Sequence, residues 1–452
     1  MRSAVVLGGS FAGLLAARVL SDHADEVIII EPGQGPAGHV SPAQPHHQQL
    51  HALLATGHTE LEHWLPGITD ELVAHGAHLG TGTSVQFYSD GVLKPSSTDI
   101  DMLGATRPFI ESHVRDRVLS IDNIRVLSAQ ARDLLLDGSQ VSGVRIARSG
   151  GAGGPACEEE MRADLVVDAM GRSSRLSTWL EAHGWGKPPV DRLRIDLGYA
   201  TAFFRRGEEL PDTVIAHSSP GPASGYQQRL SEPGALTAVE GDRWSVVLAG
   251  YGDYRPGQDP QEFLRRMRRC VAPLREVADS CEMMSEVAPF SFRESQRRNF
   301  GQMKRFPGGL VVAGDAVASV NPIYGQGLTL ATLAASSLSA HLRSAKSPRD
   351  PALGYFRRLG SAVGAAWQIS TAADLAQPHV TGPYPRGYWM TRRAGDMVTA
   401  ASVIDPVVNH TFTNVLHMRA HPRALARPGL LLRSAAVLAS SRTKGPRRWA
   451  DS

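Results

Sequence analysis

The residues of this chain best suited to chemistry sit in two glycine-rich loops at opposite ends of a long sequence. The first is Gly8 to Gly13, GGSFAG, and the second is Gly314 to Gly327, GDAVASVNPIYGQG. Gly8 permits a tight turn, the small Ser10 lets the main chain approach a phosphate, and Gly13 lets a following helix pack close to the preceding strand. A helix N-terminus opening at such a turn offers free N–H donors and a partial positive charge, which is the chemistry of pyrophosphate binding. In the second loop Asp315 sets a carboxylate where it can accept hydrogen bonds from a sugar-alcohol chain. Pro322, Gly325 and Gly327 shape a backbone able to come close to a flat ring, and the helix that follows aims its positive end at that ring.

Short buried strands must carry these loops. Ser3 to Leu7 (SAVVL) and Val27 to Ile30 (VIII) are read as such strands, with an Ala- and Leu-rich helix over Leu14 to Leu20 between them. Glu31 ends the second strand eighteen positions after Gly13, near the ~20 at which a ribose-binding carboxylate is expected. Ser10 departs from the middle glycine of GxGxxG but keeps the position small. Leu310 to Ala313 (LVVA) is a further buried strand, and Leu328 to Leu338 (LTLATLAASSL) is a small-residue helix. A nicotinamide dinucleotide needs only the first loop. A coenzyme held at both ends, FAD, accounts for both loops: its adenosine end on the first and its flavin end on the second. A helix N-terminus beside N1 and the C2 oxygen would stabilise the anionic reduced flavin.

Composition sets the frame. A chain of 452 residues exceeds the ~250–300 at which a single core stops growing, so at least two lobes are expected. The formal charge of +3 is mild, and all but five of the 47 basic residues are arginine. The basic runs Arg265 to Arg269 and Arg442 to Arg448 read as a solvated helix face and a terminus, so no nucleic-acid partner is expected. Cys157, Cys270 and Cys281 are too few and too scattered for a disulfide framework or a zinc site, and a reducing, cytoplasmic setting fits best. The opening residues are read as the start of the nucleotide-binding unit rather than a signal peptide, because Gly8-Gly9-Ser10 interrupts their apolar stretch. No run reaches the ~18 apolar residues of a membrane span. Six histidines lie between His39 and His63, with His47 and His51 four apart, but no carboxylate or cysteine cluster joins them, and no metal is expected. Leu50, Leu53, Leu54 and Leu61 fit one buried helix face there.

With both loops in view, the chain resembles the FAD-dependent monooxygenases of the aromatic-hydroxylase fold, and within them the bacterial polyketide and polyene epoxidases related to squalene epoxidase. The likeness rests on GDAVASVNPIYGQG, on TRPFIESHVRDRV (Thr106 to Val118), on DLVVDAMGRSSRLSTWL (Asp164 to Leu180) and on RIDLGYATAFFRR (Arg194 to Arg206). HHQQLHALLATGHTELEHWLPG (His46 to Gly67) is also similar to the segment after the family's first βαβ unit. The resemblance implies FAD contacts at Gly8, Ser10, Gly13, Glu31, Arg115, Asp315, Gly325 and Gly327. Arg115 also lies four residues after Glu111 on one helix face, a spacing that suits either pyrophosphate neutralisation or an ion pair.

The resemblance further implies an α/β chain with an FAD-binding Rossmann-like domain of the glutathione-reductase type, an inserted β-sheet substrate domain and a C-terminal helical region. The FAD domain is expected over 1–80, 105–180 and 290–345, the substrate domain over 81–104 and 181–289, and the helices over 346–452. Within these, SVQFYSDGVL reads as a hairpin, and Ile195, Leu197, Tyr199 and Phe203 share a strand face. Trp244 to Leu248 is a strand, Gln261 to Val277 a helix, and Ser149 to Glu160 a flexible tip between strands. The apolar and basic C-terminal segment is expected to cap the active site rather than rest on a membrane.

The implied activity is epoxidation or hydroxylation of a hydrophobic polyketide- or polyene-like molecule through a flavin C4a-hydroperoxide. Epoxidation needs no general base, so no catalytic side chain is assigned. Two departures bear on this. Where aromatic hydroxylases carry Asp-Gly, this chain has Met170-Gly171, and methionine cannot accept a strong hydrogen bond. The electron source is therefore read as a separate flavin reductase or free NAD(P)H. Relatives also carry an arginine before their Pro-Gln stretch, whereas Gly38 to Gln49 holds only histidines. The rival function is a redox-silent, FAD-bound cyclase of the [4+2] type, which would keep every FAD-anchoring residue. A flavin halogenase would need Trp-x-Trp, and no two of the seven tryptophans fall two apart.

Overall fold

The computed structural model describes residues 1–32, 49–148, 157–219 and 233–443. Its first layer is a five-stranded parallel sheet in the order Leu310–Val312, Leu165–Asp168, Ser3–Leu7, Glu26–Glu31, Ile124–Ser128. These strands are continuous apolar runs because both faces of the sheet are covered, one by helices and the other by the antiparallel strands Gln130–Asp137 and Gln140–Arg148. On the helical face Phe11–Ser21 lies against the helices Arg107–Leu119 and Gln326–Ser344, and Ala4, Val5, Val6, Leu14, Leu15, Val166 and Val311 are all fully buried in the core so formed.

The second layer is an eight-stranded sheet in the order Ala318–Ser319, Ala288–Arg298, Val190–Arg205, Arg243–Tyr251, Gly234–Val239, Ile215–Ser219, Val85–Ser89, Val92–Leu93. The expected hairpin at 84–93 forms, and it extends this sheet. Alternation along the strands sorts the two faces. Ala200, Ala202, Phe204, Ala216, Leu236 and Val246 turn toward the helices Pro260–Met267 and Ala272–Ser280. Leu197, Tyr199 and Ala249 turn the other way, into a cluster with Val380 and Tyr388 from the C-terminal region. Ile195, inside a bulge between Arg194 and Leu197 where Asp196 stands at φ 44°, lies in that same cluster. Two small antiparallel sheets complete the strands: one of Gln130–Asp137, Gln140–Arg148 and Cys157–Arg162, the other of His78–Gly80 and Met102–Gly104.

Several sequence expectations change. Gln261 to Val277 is two helices, because Pro273 lacks the N–H that would continue the first and instead sits in the opening turn of the second. Residues 50–54 are not helical, and the helix begins at Ala55. Tertiary bonds hold that stretch out: Gln49 bridges Thr201 and the Ala288 carbonyl, His51 meets Arg107, and the Ala55 N–H donates to His417. Glu158 to Glu160 belong to a strand rather than to the flexible tip, whose residues 149–156 lie outside the described residues, as do His39, His46 and His47. Of the C-terminal segment, the structure describes the helix Pro428–Thr443, and residues 444–452 lie outside the described residues. That helix packs on the helices Tyr388–Ser402 and Pro406–Leu416. Among the described residues no helix is long and apolar enough to cross a membrane, and no disulfide joins the three cysteines.

Candidate active site

The parallel sheet brings three distant motifs to one edge. Leu7, Asp168 and Val312 are register partners at the carboxyl ends of adjacent strands, so the chain leaves the sheet side by side at GGSFAG, DAMGRSS and GDAVAS. Ligands of open α/β sheets bind outside such strand ends. The two glycine loops touch: a Cβ on Gly314 would lie 2.7 Å from that of Ala12.

The first loop is closed by sterics. Gly8 sits at φ +103°, and a Cβ there would meet the Ala169 carbonyl oxygen at 2.5 Å. A Cβ on Gly13 would fall 1.9 Å from the Gly8 carbonyl oxygen, so the helix packs on the turn only with glycine. Ser10 is the N-cap of the helix Phe11–Ser21, but its side chain does not cap it. Its hydroxyl instead accepts from Arg107 Nη2 at 3.2 Å. Glu31 Oε2 accepts from Arg115 Nη2 at 2.9 Å, and Arg115 Nη1 donates to the Gly9 carbonyl at 3.0 Å. Arg115 is only 4% exposed, so it is a buried clamp joining loop and carboxylate. The i,i+4 ion pair on this helix is Arg107–Glu111, not Glu111–Arg115.

The second loop is open by contrast. Gly325 adopts φ +65° and approaches Ala52 so closely that a Cβ would lie 2.9 Å from it. Gly325 caps the helix Gln326–Ser344, whose first turn contains Gly327, and a Cβ on Gly327 would meet nothing within 4 Å. Asp315 is exposed to solvent, with protein close about its carboxylate. That low-dielectric surround raises its pKa, opposed by Arg107, Arg172, a hydrogen bond from Ser319, and Arg298. Gln326 is fully buried with both amide atoms unpartnered at the helix start, a pattern that suits a ligand's polar edge.

Arginines join the loops. Arg298 donates to the carbonyls of Ala316 (2.9 Å) and Arg172 (2.9 Å), and Arg172 donates to Ser319 Oγ at 3.2 Å. Asp168 is fully buried; it accepts from the Met170 N–H at 3.0 Å and from the Ser174 hydroxyl. Burial raises its pKa to about 6 against those bonds. Asn321, the residue before Pro322, donates to Tyr251 Oη and to Asp374 Oδ1, and Tyr251 also donates to Asp374. Asp374 is fully buried with Oδ2 unpartnered, and burial lifts its pKa to about 7.

The expected residues therefore fall into two groups that meet: Gly8, Ser10, Gly13, Glu31 and Arg115 around the first loop, and Asp315, Gly325 and Gly327 in the second. Sequence reasoning passed over Gly9, whose Cβ would strike Glu31 Oε2 at 2.5 Å, and Arg107, Arg172, Arg298 and Gln326. Arg107 carried a signal: a cation in the first turn of a helix opposes the macrodipole, a local inconsistency of the kind found at functional sites.

No family model matches the chain. Its fold recurs in the flavin-dependent brominase Bmp2, 16% identical, covering 97% of this chain and 99% of that one at TM-score 0.63. It recurs also in PqsL, a probable FAD-dependent monooxygenase from Pseudomonas aeruginosa, 16% identical, covering 87% and 99% at TM-score 0.62. The architecture is thus shared with these flavin-dependent proteins, a likeness of fold alone. Protein Rv3254 of Mycobacterium tuberculosis (strain ATCC 25618 / H37Rv) is 30% identical over 427 residues, 90% of this chain and 88% of that one. The chain belongs to the same family as Rv3254.

Proposed function

We propose that this chain binds FAD and is a monooxygenase that inserts one oxygen atom of O₂ into a hydrophobic molecule, a polyketide or polyene, by epoxidation or hydroxylation. The observation that carries the reading is the meeting of the two glycine loops at the carboxyl ends of three parallel strands. The loops fit the coenzyme. Gly8, Ser10, Gly13 and the free N–H groups of the first helix suit the pyrophosphate. Glu31, held by Arg115, suits the ribose. Asp315 suits the ribityl hydroxyls, and the open N-terminus at Gly325 to Gly327, with the unpartnered Gln326 amide, suits the polar edge of the ring. When bound, FAD supplies the electron transfer and the activation of O₂.

The chain's own residues bind, orient and exclude water. Tyr199 stands on the substrate sheet within electrostatic reach of Arg107 and Asp315, its ring 5.1 Å from that of Phe290. These rings form an apolar wall facing the flavin loop, where a π-bond would be held in position and water kept out. At position 170 a methionine offers a reduced nicotinamide no strong acceptor, so we assign the electrons to a separate flavin reductase or to free NAD(P)H, in the cytoplasm. The test is mass spectrometry of product formed under air and under nitrogen. A gain of one oxygen atom under air alone is expected. Turnover that persists under nitrogen with unchanged mass would replace the monooxygenase with a cyclase. Fast, saturable flavin reduction by NADPH alone in stopped flow would overturn the separate electron source.

A further inference from the structure

The sheet face turned away from its covering helices carries one row of register partners: Phe87, His217, Ala235, Val247, Thr201 and Ala288. The Thr201 end is the flavin-loop end. Gln49 ties Thr201 and the Ala288 carbonyl together, and Tyr199, two residues away on the same face, feels Arg107 and Asp315. Four inter-strand steps separate Thr201 from Phe87, a span of ~19 Å at the usual strand spacing. Apart from His217 and Thr201, the row is apolar.

Its far end holds a buried cation. Lys94 is only 8% exposed, and its backbone N–H donates to the Phe87 carbonyl at 2.9 Å. Its ammonium stands 3.8 Å from the centre of the Phe412 ring. The Phe87 ring lies 6.1 Å from that of His217 and 5.8 Å from that of His417. Both imidazoles are neutral near pH 7: burial takes each to about 4, helped at His217 by Lys94 and at His417 by Arg419, with Asp99 opposing at His417. Among the described residues no carboxylate pairs with Lys94. Asp99, five positions on, is engaged by Arg419 and His410. An aromatic face compensates a desolvated ammonium only in part, and burial accordingly lowers the Lys94 pKa to about 7.

We propose that Lys94 anchors a carboxylate carried by the substrate, at the end of an elongated apolar molecule whose other end lies at the flavin loop. The proposal rests on the monooxygenase reading and narrows its substrate class to hydrophobic acids. The carboxylate would supply the missing counter-charge, His217 would offer a neutral N–H donor beside it, and the ~19 Å row would set the distance from the acid to the oxidised carbon.

The test uses the purified full-length holoprotein and the fluorescent polyene cis-parinaric acid, compared with its methyl ester, in equilibrium titrations. For the wild type the acid is expected to bind at least tenfold more tightly than the ester, and high salt should narrow the gap. Lys94→Met should remove the gap by weakening acid binding and leave ester binding unchanged, while Lys94→Arg should keep part of it. Equal binding of acid and ester by the wild type, binding of neither, or a gap that survives Lys94→Met would overturn the anchor. The wild-type ratio decides the matter even where a variant does not fold. A colourless protein that cannot be reconstituted with FAD would sink the monooxygenase reading instead, and that is read from the same sample before any titration.

Discussion

The two glycine loops solve opposite problems. In the first, each glycine is demanded by protein: Gly13 by the Gly8 carbonyl, Gly8 by Ala169, Gly9 by Glu31. That loop is built before any ligand arrives. In the second, Gly327 faces open space, Asp315 faces solvent, and the Gln326 amide has no partner. Glycine in the first loop serves the fold and only through it the ligand, whereas in the second Gly314 and Gly325 are fixed by Ala12 and Ala52 and Gly327 alone is left open to a ligand.

Substitutions can break that contrast. Gly13→Ala places a methyl against backbone that has no room to move, and should cost about 3 kcal/mol and bound flavin together, read by thermal melting and by the colour of the preparation. Arg115→Met strips a buried partner from Glu31 and from the Gly9 carbonyl; we expect a loss of about 3 kcal/mol in denaturant unfolding. Asp315→Asn should leave the melting temperature of the flavin-free protein unchanged while weakening FAD binding ten- to a hundredfold, as expected for loss of charged hydrogen bonds of about 1.5–3 kcal/mol. Release of fluorescent flavin measures it.

Asp374 sharpens the picture through pH. Burial raises its pKa from an ordinary 3.8 to about 7, so between those values the folded chain keeps a proton that the unfolded chain gives up. Its contribution to stability is fully present below pH 4 and is lost as pH rises toward 7. Asp374→Asn should flatten that slope and melt a few degrees above the wild type at pH 8, with the difference vanishing near pH 4. The smallest effect is expected at Gly327→Ala: melting of the flavin-free protein within ~0.5 kcal/mol of wild type, with only flavin retention reduced.

What the sequence revealed follows from range. Buried parallel strands such as SAVVL, LVVD and LVVA are legible because both faces are apolar, and the glycine loops are legible because their conformation is local. The arginine stitches were not. Arg298 bonds a carbonyl at residue 172, and Arg107 bonds Ser10, pairings that no local pattern encodes. The stretch 50–54 has helical periodicity, yet Gln49, His51 and Ala55 are each held by residues far along the chain. Lys94 sits in a turn-rich stretch that looks solvated in one dimension, and only the packing of Phe412 over it shows otherwise.

One small pairing ties the two layers together. Ala318 and Ser319, inside the second loop, hydrogen-bond to Arg297 and Gln296 as the outermost strand of the large sheet. Under the proposed function, the platform under the flavin ring and the wall behind the substrate would therefore be a single woven fabric. A molecule lodged along that wall would keep a fixed offset from the ring, so the position oxidised along its length would be dictated by a ruler rather than by a clock.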